Sequence, residues 1–398
     1  MRGIAEPPAV DTAVADGPYF GLSEEQELLR AEVRRFAEER IRPGAEERDR
    51  EHRFSEAIAR ELGEMGLLGV LVDERYGGAG LDKASYVVVV EELARVCPST
   101  AVTVSVTNSV CCWPIAEFGD EEQKQRILPE LAGGSCLGGF GLTEPGSGSD
   151  AASLRTTARR DGDDWLLNGE KAWITNAGVA GYYVVMAKTD PEAGKRGISA
   201  FIVPADAPGL SVGAPENKLG LRASRTAPLV FEDCRIPASN LLGEPGRGFY
   251  VALKTLDHSR LGIAAQAIGI HQRALELACE YARDRVQFGV PIAEHQAVQF
   301  MIARISTDLA AARVLTRQAA AAADQRSAAA PRLAAEAKLF AAEAANRACY
   351  EALQIHGGNG FCEDYEVARL YRDVRVTTIY EGTSEIHRLV IARHLLRD

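Results

Sequence analysis

Nowhere in the 398 residues does an apolar run approach the roughly 20 needed to cross a bilayer; charge interrupts the longest of them within about a dozen. Membrane insertion is therefore not expected. Cysteine is present eight times but never as CxxC and never at a regular spacing. Disulfide and zinc-ribbon frameworks are thereby excluded, and the thiols read as buried groups in a reducing, cytoplasmic setting. The seven histidines show no HExxH or comparable ligand spacing, so no metal is expected. Basic residues are outnumbered, 45 Lys and Arg against 56 Asp and Glu, for a net charge of -11. Binding to nucleic acid needs clustered cations, which this balance does not supply. Residues 1–20 lack the continuous apolar segment of a secretory signal and read as a flexible extension.

What is there is a globular composition, 46% hydrophobic and 25% charged. A chain of this length exceeds one ordinary core, which predicts two or three domains. Ser23-Glu24-Glu25-Gln26 has capping-box spacing, and Leu29, Val33, Phe36 and Ala37 follow on one helical face. The same periodicity over Ala57 to Met65 and Tyr86 to Val96 makes residues 21–136 a helical domain. From Leu137 the texture changes to short β-branched and aromatic runs, Tyr182 to Met186, Ile198 to Val203 and Leu229 to Phe231, between Gly, Pro, Asp and Asn. No helical pattern separates these runs, so residues 137–245 are expected to form an antiparallel barrel or sandwich rather than a doubly wound sheet. Residues 246–398 return to helix, alanine-rich over Ala303 to Ala323 and Leu333 to Gln354, and predict a four-helix bundle. The class is α+β, multidomain.

Chemistry concentrates in Tyr380-Glu381-Gly382-Thr383-Ser384-Glu385. A carboxylate on a glycine turn can reach a bound substrate unobstructed, which a general base requires. By itself the hexapeptide better suits an exposed glutamate at a helix C-terminus, where glycine often caps. Four further segments accompany it. Phe140 to Asp150, FGLTEPGSGSD, is a glycine and hydroxyl loop offering N–H and O–H donors to a polar ligand. Trp173-Ile174-Thr175-Asn176 follows it. Arg285-Val286-Gln287-Phe288-Gly289 with Gln296 carries an arginine suited to a diphosphate. Gln354-Ile355-His356-Gly357-Gly358 completes the set.

Together these segments resemble the acyl-CoA dehydrogenases, most closely the short-chain and butyryl type, over about Leu22 to the C-terminus. The resemblance implies FAD as cofactor. It places Phe140, Leu142 and Thr143 against the isoalloxazine, with Gly148 allowing close approach and Ser149 meeting both cofactor and substrate. Trp173 covers the ring, and the Thr175 hydroxyl sits near its reactive nitrogen. Arg285, Phe288, Gln296, Gln354, Ile355, Gly357 and Gly358 hold the adenine dinucleotide half, the Gln354 element coming from a neighbouring subunit of a homotetramer built as a dimer of dimers. Thr383, Ser384 and Glu385 return to FAD. Asp257, Arg260 and Gly382 contact the substrate.

By the same resemblance, Glu381 removes the α-proton of an acyl thioester while the β-hydrogen leaves as hydride. Aligned donors on the thioester oxygen, a ribityl hydroxyl and the Glu381 N–H, close much of the acidity gap, and burial raises the glutamate's basicity. Some relatives carry the base on an earlier helix, at the position occupied here by Ser259, which leaves the role to Glu381. His258 reads as solvated or CoA-proximal. The pocket floor draws on Ala101 to Trp113, where Val106, Cys111, Cys112 and Trp113 supply bulk; Ala101 stands where glutaryl-type relatives carry an arginine. Electrons pass to an electron-transfer flavoprotein. An acyl carrier protein thioester, an oxygen-using oxidase and a non-catalytic flavin-binding assembly subunit stand as alternatives.

Overall fold

In the computed structural model, which describes residues 21–396, helices occupy both ends of the chain and strands its middle. The extension expected over residues 1–20 lies outside the described residues. Helix α1 (Glu24–Phe36) starts at the capping box: Gln26 N–H donates to the Ser23 hydroxyl at 3.2 Å, and Ser23 N–H to Gln26 Oε1 at 3.1 Å. Helices α2 (Ala45–Arg50), α3 (Glu56–Glu64) and α4 (Lys83–Val96) follow. The valine run Val87–Val90 in α4 would suit a strand by propensity. Packing between α1 and the later bundle buries it as helix instead. Helix α5 (Pro98–Val106) continues through a π-helical turn, Thr107–Cys112, into α6 (Trp113–Phe118), and α7 (Glu121–Ala132) closes this region.

The sheet contains β1 (Leu137–Gly141), β2 (Thr157–Asp161), β3 (Asp164–Thr175), β4 (Ala180–Lys188), β5 (Ile198–Pro204), β6 (Leu210–Val212), β7 (Thr226–Pro237) and β8 (Leu241–Leu242). Among the described residues its order is β6-β7-β3-β2-β4-β5-β8, with β1 paired to β4. The ladders are antiparallel except for β1 with β4 and a single parallel pair of β2 with β4, Thr157 opposite Lys188. The sheet is thus mixed where an antiparallel one was expected, because β1 enters from α7 beside β4 rather than by a hairpin. Strands β3 and β7 run 12 residues each, longer than their apolar runs suggest. Polar residues at Asn168, Glu170, Glu232 and Asp233 interrupt the hydrophobic signal without ending the ladder.

After the sheet, α8 (Gly248–Asp284) runs 37 residues, about 56 Å at 1.5 Å per residue. A small hairpin, β9 (Val286–Gln287) and β10 (Val290–Pro291), leads to α9 (Gln296–Asp324) and α10 (Ala330–His356); α11 (Glu366–Val374) and α12 (Ser384–Leu395) complete the bundle. Helix α8 packs along α10, α4 and α9. At Gly269 a Cβ would lie 2.2 Å from the Glu91 carbonyl, so the approach of α8 to α4 requires glycine there. Alanines on α10 do the same work by size.

Candidate active site

The Tyr380 hexapeptide does not end a helix; it forms the turn that starts α12, with the Thr383 hydroxyl capping Ile386 N–H at 3.4 Å. Glu381 and Gly382 both take left-handed backbone, φ 52° and 96°. Glycine accepts this freely, whereas a glutamate does so only when its surroundings impose it. The turn directs the Glu381 carboxyl inward, and Oε2 is buried without a hydrogen-bond partner. Burial raises its pKa above the usual carboxylate range; the Ser259 hydroxyl and the charges of Lys338 and Arg260 oppose that rise without cancelling it.

Three elements converge on this carboxyl. From α8 come Ser259, whose hydroxyl lies near it and donates to the Leu256 carbonyl at 3.3 Å, and buried Arg260, whose Nη1 pairs with Asp257 Oδ1 at 2.6 Å. From α10 comes Lys338, with no exposed surface, donating from Nζ to the Gly382 carbonyl at 2.7 Å. From α12 comes His387, also fully buried, with neither ring nitrogen hydrogen-bonded. The Tyr380 hydroxyl donates to Gln266 Oε1 of α8. Lys338 and His387 belong to none of the five motifs. The signal for Lys338 was a lone cation on the alanine stripe Ala334, Ala341 and Ala345, which pack in the core.

The glycine and hydroxyl loop reaches this site through Phe140, which packs with Val102, Val106, Val110 and Leu221 against Val376 and Tyr380. Its backbone is tied to β3: Ala172 N–H donates to the Thr143 carbonyl at 2.9 Å. Beneath it lies an ion pair almost without water. Lys171 Nζ meets Glu144 Oε1 at 2.7 Å, and Glu144 also accepts from Arg155 N–H at 2.5 Å and Thr156 N–H at 2.9 Å. Burial pushes Lys171 down to about 8, while at Glu144 the lysine and the N–H donors outweigh burial and hold the carboxyl low. Both groups are charged at neutral pH.

Trp173 is 61% exposed with φ 61°, two uncommon conditions for a tryptophan in a strand. Gly148 and Ser149 are exposed, and a Cβ added at Gly148 would meet nothing within 4 Å. Thr175 is half-buried. Ser384 presents a buried hydroxyl with no partner, beside exposed Glu385. An exposed indole, open glycines and an unsatisfied hydroxyl are features that would suit a planar aromatic group with polar edges. The Leu142 side chain instead turns into the core; its carbonyl accepts from Lys171 at 3.2 Å.

The remaining motif residues gather elsewhere. Arg285 caps α8 at its far end, Phe288 is 94% exposed at φ 55°, and Gln296 begins α9. Gln354, Gly357 and Gly358 are exposed close by, since His356 stacks on Tyr281 at 4.2 Å. Cβ atoms added at either glycine would meet nothing. Ile355 is the exception, packed in the core. Twenty-five residues of helix separate Arg260 from Arg285, roughly 38 Å.

Several expectations need correction. His258 is not solvated: it is buried and stacked on Trp113 at 4.7 Å, with Tyr86 6.5 Å away, and burial pushes its pKa down to about 3. Cys111 points at β1, where a Cβ on Gly138 would lie 2.3 Å from its own, and Cys112 Sγ faces the Leu68 carbonyl. Only Val106 of the four bulky residues joins the apolar cluster at Phe140 and Tyr380. The eight thiols are all free, but Cys362 is exposed rather than buried. Among the described residues no three His, Cys, Asp or Glu gather as metal ligands, and no helix is long and apolar enough to cross a membrane.

Family models described as acyl-CoA dehydrogenase N-terminal, middle and C-terminal domains match residues 23–135, 139–234 and 246–396. The chain is 50% identical to the mitochondrial short-chain specific acyl-CoA dehydrogenase of Mus musculus over 95% of its length and 91% of that protein's. The structure of butyryl-CoA dehydrogenase from Megasphaera elsdenii superposes with a TM-score of 0.93 at 42% identity, covering 95% of this chain and all of that one. A prolyl acyl carrier protein oxidase, AnaB, is similar at a TM-score of 0.91 and 33% identity, covering 95% of this chain and all of that one.

Proposed function

Since the chain belongs to the acyl-CoA dehydrogenase family, a family of FAD-dependent oxidoreductases, we propose that it converts a short-chain or branched short-chain acyl-CoA to the trans-2-enoyl-CoA. The observation that carries this is the Glu381 carboxyl, buried, unpartnered at Oε2 and more basic than a free glutamate. Such a group takes the α-proton; a solvated carboxylate is too weak a base for a thioester. FAD, when bound, supplies the acceptor for the β-hydrogen. Phe140, Thr143, Gly148, Ser149, Trp173, Thr175 and Ser384 are the residues that would hold its ring system, and Gly382 borders the thioester. Apolar Val102, Val106 and Val110 exclude water from the reacting carbons and favour a short acyl chain. Arg260 is buried beside the base and paired with half-buried Asp257, so its proposed part is to shape the substrate's carbonyl end.

The roughly 38 Å between Arg260 and Arg285 exceeds the span of one extended FAD. The exposed Arg285, Phe288, Gln354, Gly357 and Gly358 therefore serve a partner's cofactor, which supports a homotetramer built from dimers. Electron-transfer flavoprotein is the proposed acceptor. Similarity to an acyl carrier protein oxidase keeps a carrier-bound thioester and oxygen as a second reading. Anaerobic titration of the yellow protein with saturated acyl-CoAs of increasing length tests the first. Bleaching by short members is expected, and no bleaching across the series would sink it. Oxygen uptake with the same substrates distinguishes an oxidase.

A further inference from the structure

We infer that Lys338 is the positioning residue of the catalytic turn, holding the Gly382 carbonyl so that Glu381 keeps its left-handed backbone, and supplying the positive charge that keeps the Glu381 carboxyl ionised. The inference rests on Glu381 being the base. Its ground is geometric. Two consecutive left-handed residues, one of them glutamate, do not persist unaided. Helix α12 braces the turn on one side, where His387 lies against Gly382 and a Cβ on that glycine would come within 3.2 Å of the ring. Lys338 braces it from α10 through the 2.7 Å bond from Nζ to the Gly382 carbonyl. A lysine without exposed surface among Ala334, Ala341 and Ala345 is costly to bury and serves no packing need that leucine would not meet better.

The charges around the base single out this lysine. From α8, Arg260 bears on Glu381 but is already paired with Asp257. From α12, His387 is neutral, its pKa pushed down to about 3 by burial and by the cations of Lys338 and Arg260. Ser259, Tyr86 and Tyr380 face the site as uncharged hydroxyls, and Glu343 and Glu385 bear on Lys338 from the surface side. Lys338 is therefore the uncommitted cation beside the base. Burial lowers its pKa to about 7, so its charge and that of Glu381 sustain each other near neutrality.

The test is the pH profile of kcat/KM for anaerobic flavin reduction in holoenzyme, compared among wild type, Lys338→Gln, Lys338→Met, Lys338→Arg and Glu381→Gln. Loss of the charge should move the acid limb upward by about 1 pH unit in both neutral variants, lowering the rate by up to about tenfold at pH values below the wild-type limb with little change in KM. Lys338→Gln keeps a donor for the Gly382 carbonyl and so guards against misfolding. Lys338→Arg should return the acid limb to its wild-type position. Where neither neutral variant folds, Lys338→Arg decides: a retained charge should leave the acid limb at its wild-type position, and an upward shift with this charge in place overturns the inference. An inactive Glu381→Gln beside neutral Lys338 variants with wild-type profiles overturns the inference alone. A Glu381→Gln that still reduces flavin overturns the base reading and the inference with it.

Discussion

Glu381 sits in a backbone region that costs a non-glycine residue about 1–3 kcal/mol. That cost is offset by neighbours on three helices, and it aims a carboxyl into the interior where burial raises its basicity. Replacing it with Gln should leave the fold and the flavin in place while slowing reduction by about 10²–10⁴-fold, read by stopped-flow absorbance. For wild type, with Glu381 as the proposed base, the acid limb of the reduction rate should lie above the about 4.3 of a free glutamate, since its pKa is raised. His258 gives a second pH effect, of the same origin in burial but with its pKa moved in the opposite direction. Its folded pKa of about 3 lies below the about 6.5 of an unfolded histidine. Below pH 6.5 the unfolded chain therefore binds the additional proton, and stability falls as pH drops toward 3. His258→Phe, which keeps the stack on Trp113, should flatten that part of the melting temperature against pH curve. The hexapeptide around Glu381 stood out because it is distinctive; the burial of His258 did not, because a histidine between Asp257 and Ser259 reads as polar surface. Its environment comes from Trp113 and Tyr86, far away in the chain.

The loop that carries Thr143 to Ser149 is tied to β3 where that strand breaks its own alternation. Irregularities between Leu167 and Gly169 and between Lys171 and Ile174 shift the register against β7. Each such bulge changes which face the following side chains take. Lys171 is thereby turned inward onto Glu144, and Trp173 outward into the open. Simple period-two reading of Asp164 to Thr175 could not place either one. The loop's motif was visible; the strut beneath it was hidden by the bulges. Lys171→Met strands a buried carboxylate, which should destabilise the protein by about 3–5 kcal/mol and loosen flavin retention; thermal melting and the flavin-to-protein absorbance ratio measure the two. The double change Lys171→Met with Glu144→Leu should recover part of the stability but not the loop's hold on the cofactor.

Across the whole molecule, the order of helices, sheet and helices was readable from periodicity alone. The mixed sheet was not, because strand direction is set by where chains enter it rather than by composition. The split of the motifs into two distant clusters could not be read from their order in the chain either. Co-expression tests the shared site directly. A Glu381→Gln chain and an Arg285→Glu, Phe288→Ala chain should each be inactive alone, while mixed oligomers regain activity in the sites that combine an intact base with an intact clamp. Failure to complement would place the whole cofactor within one protomer. The 37-residue α8 gives this a practical edge. If, as proposed, one end serves its own chemistry and the other a neighbour's, dilution that separates the chains should bleed off the yellow colour and the catalysis at the same protein concentration, and the smallest working unit would then be a pair.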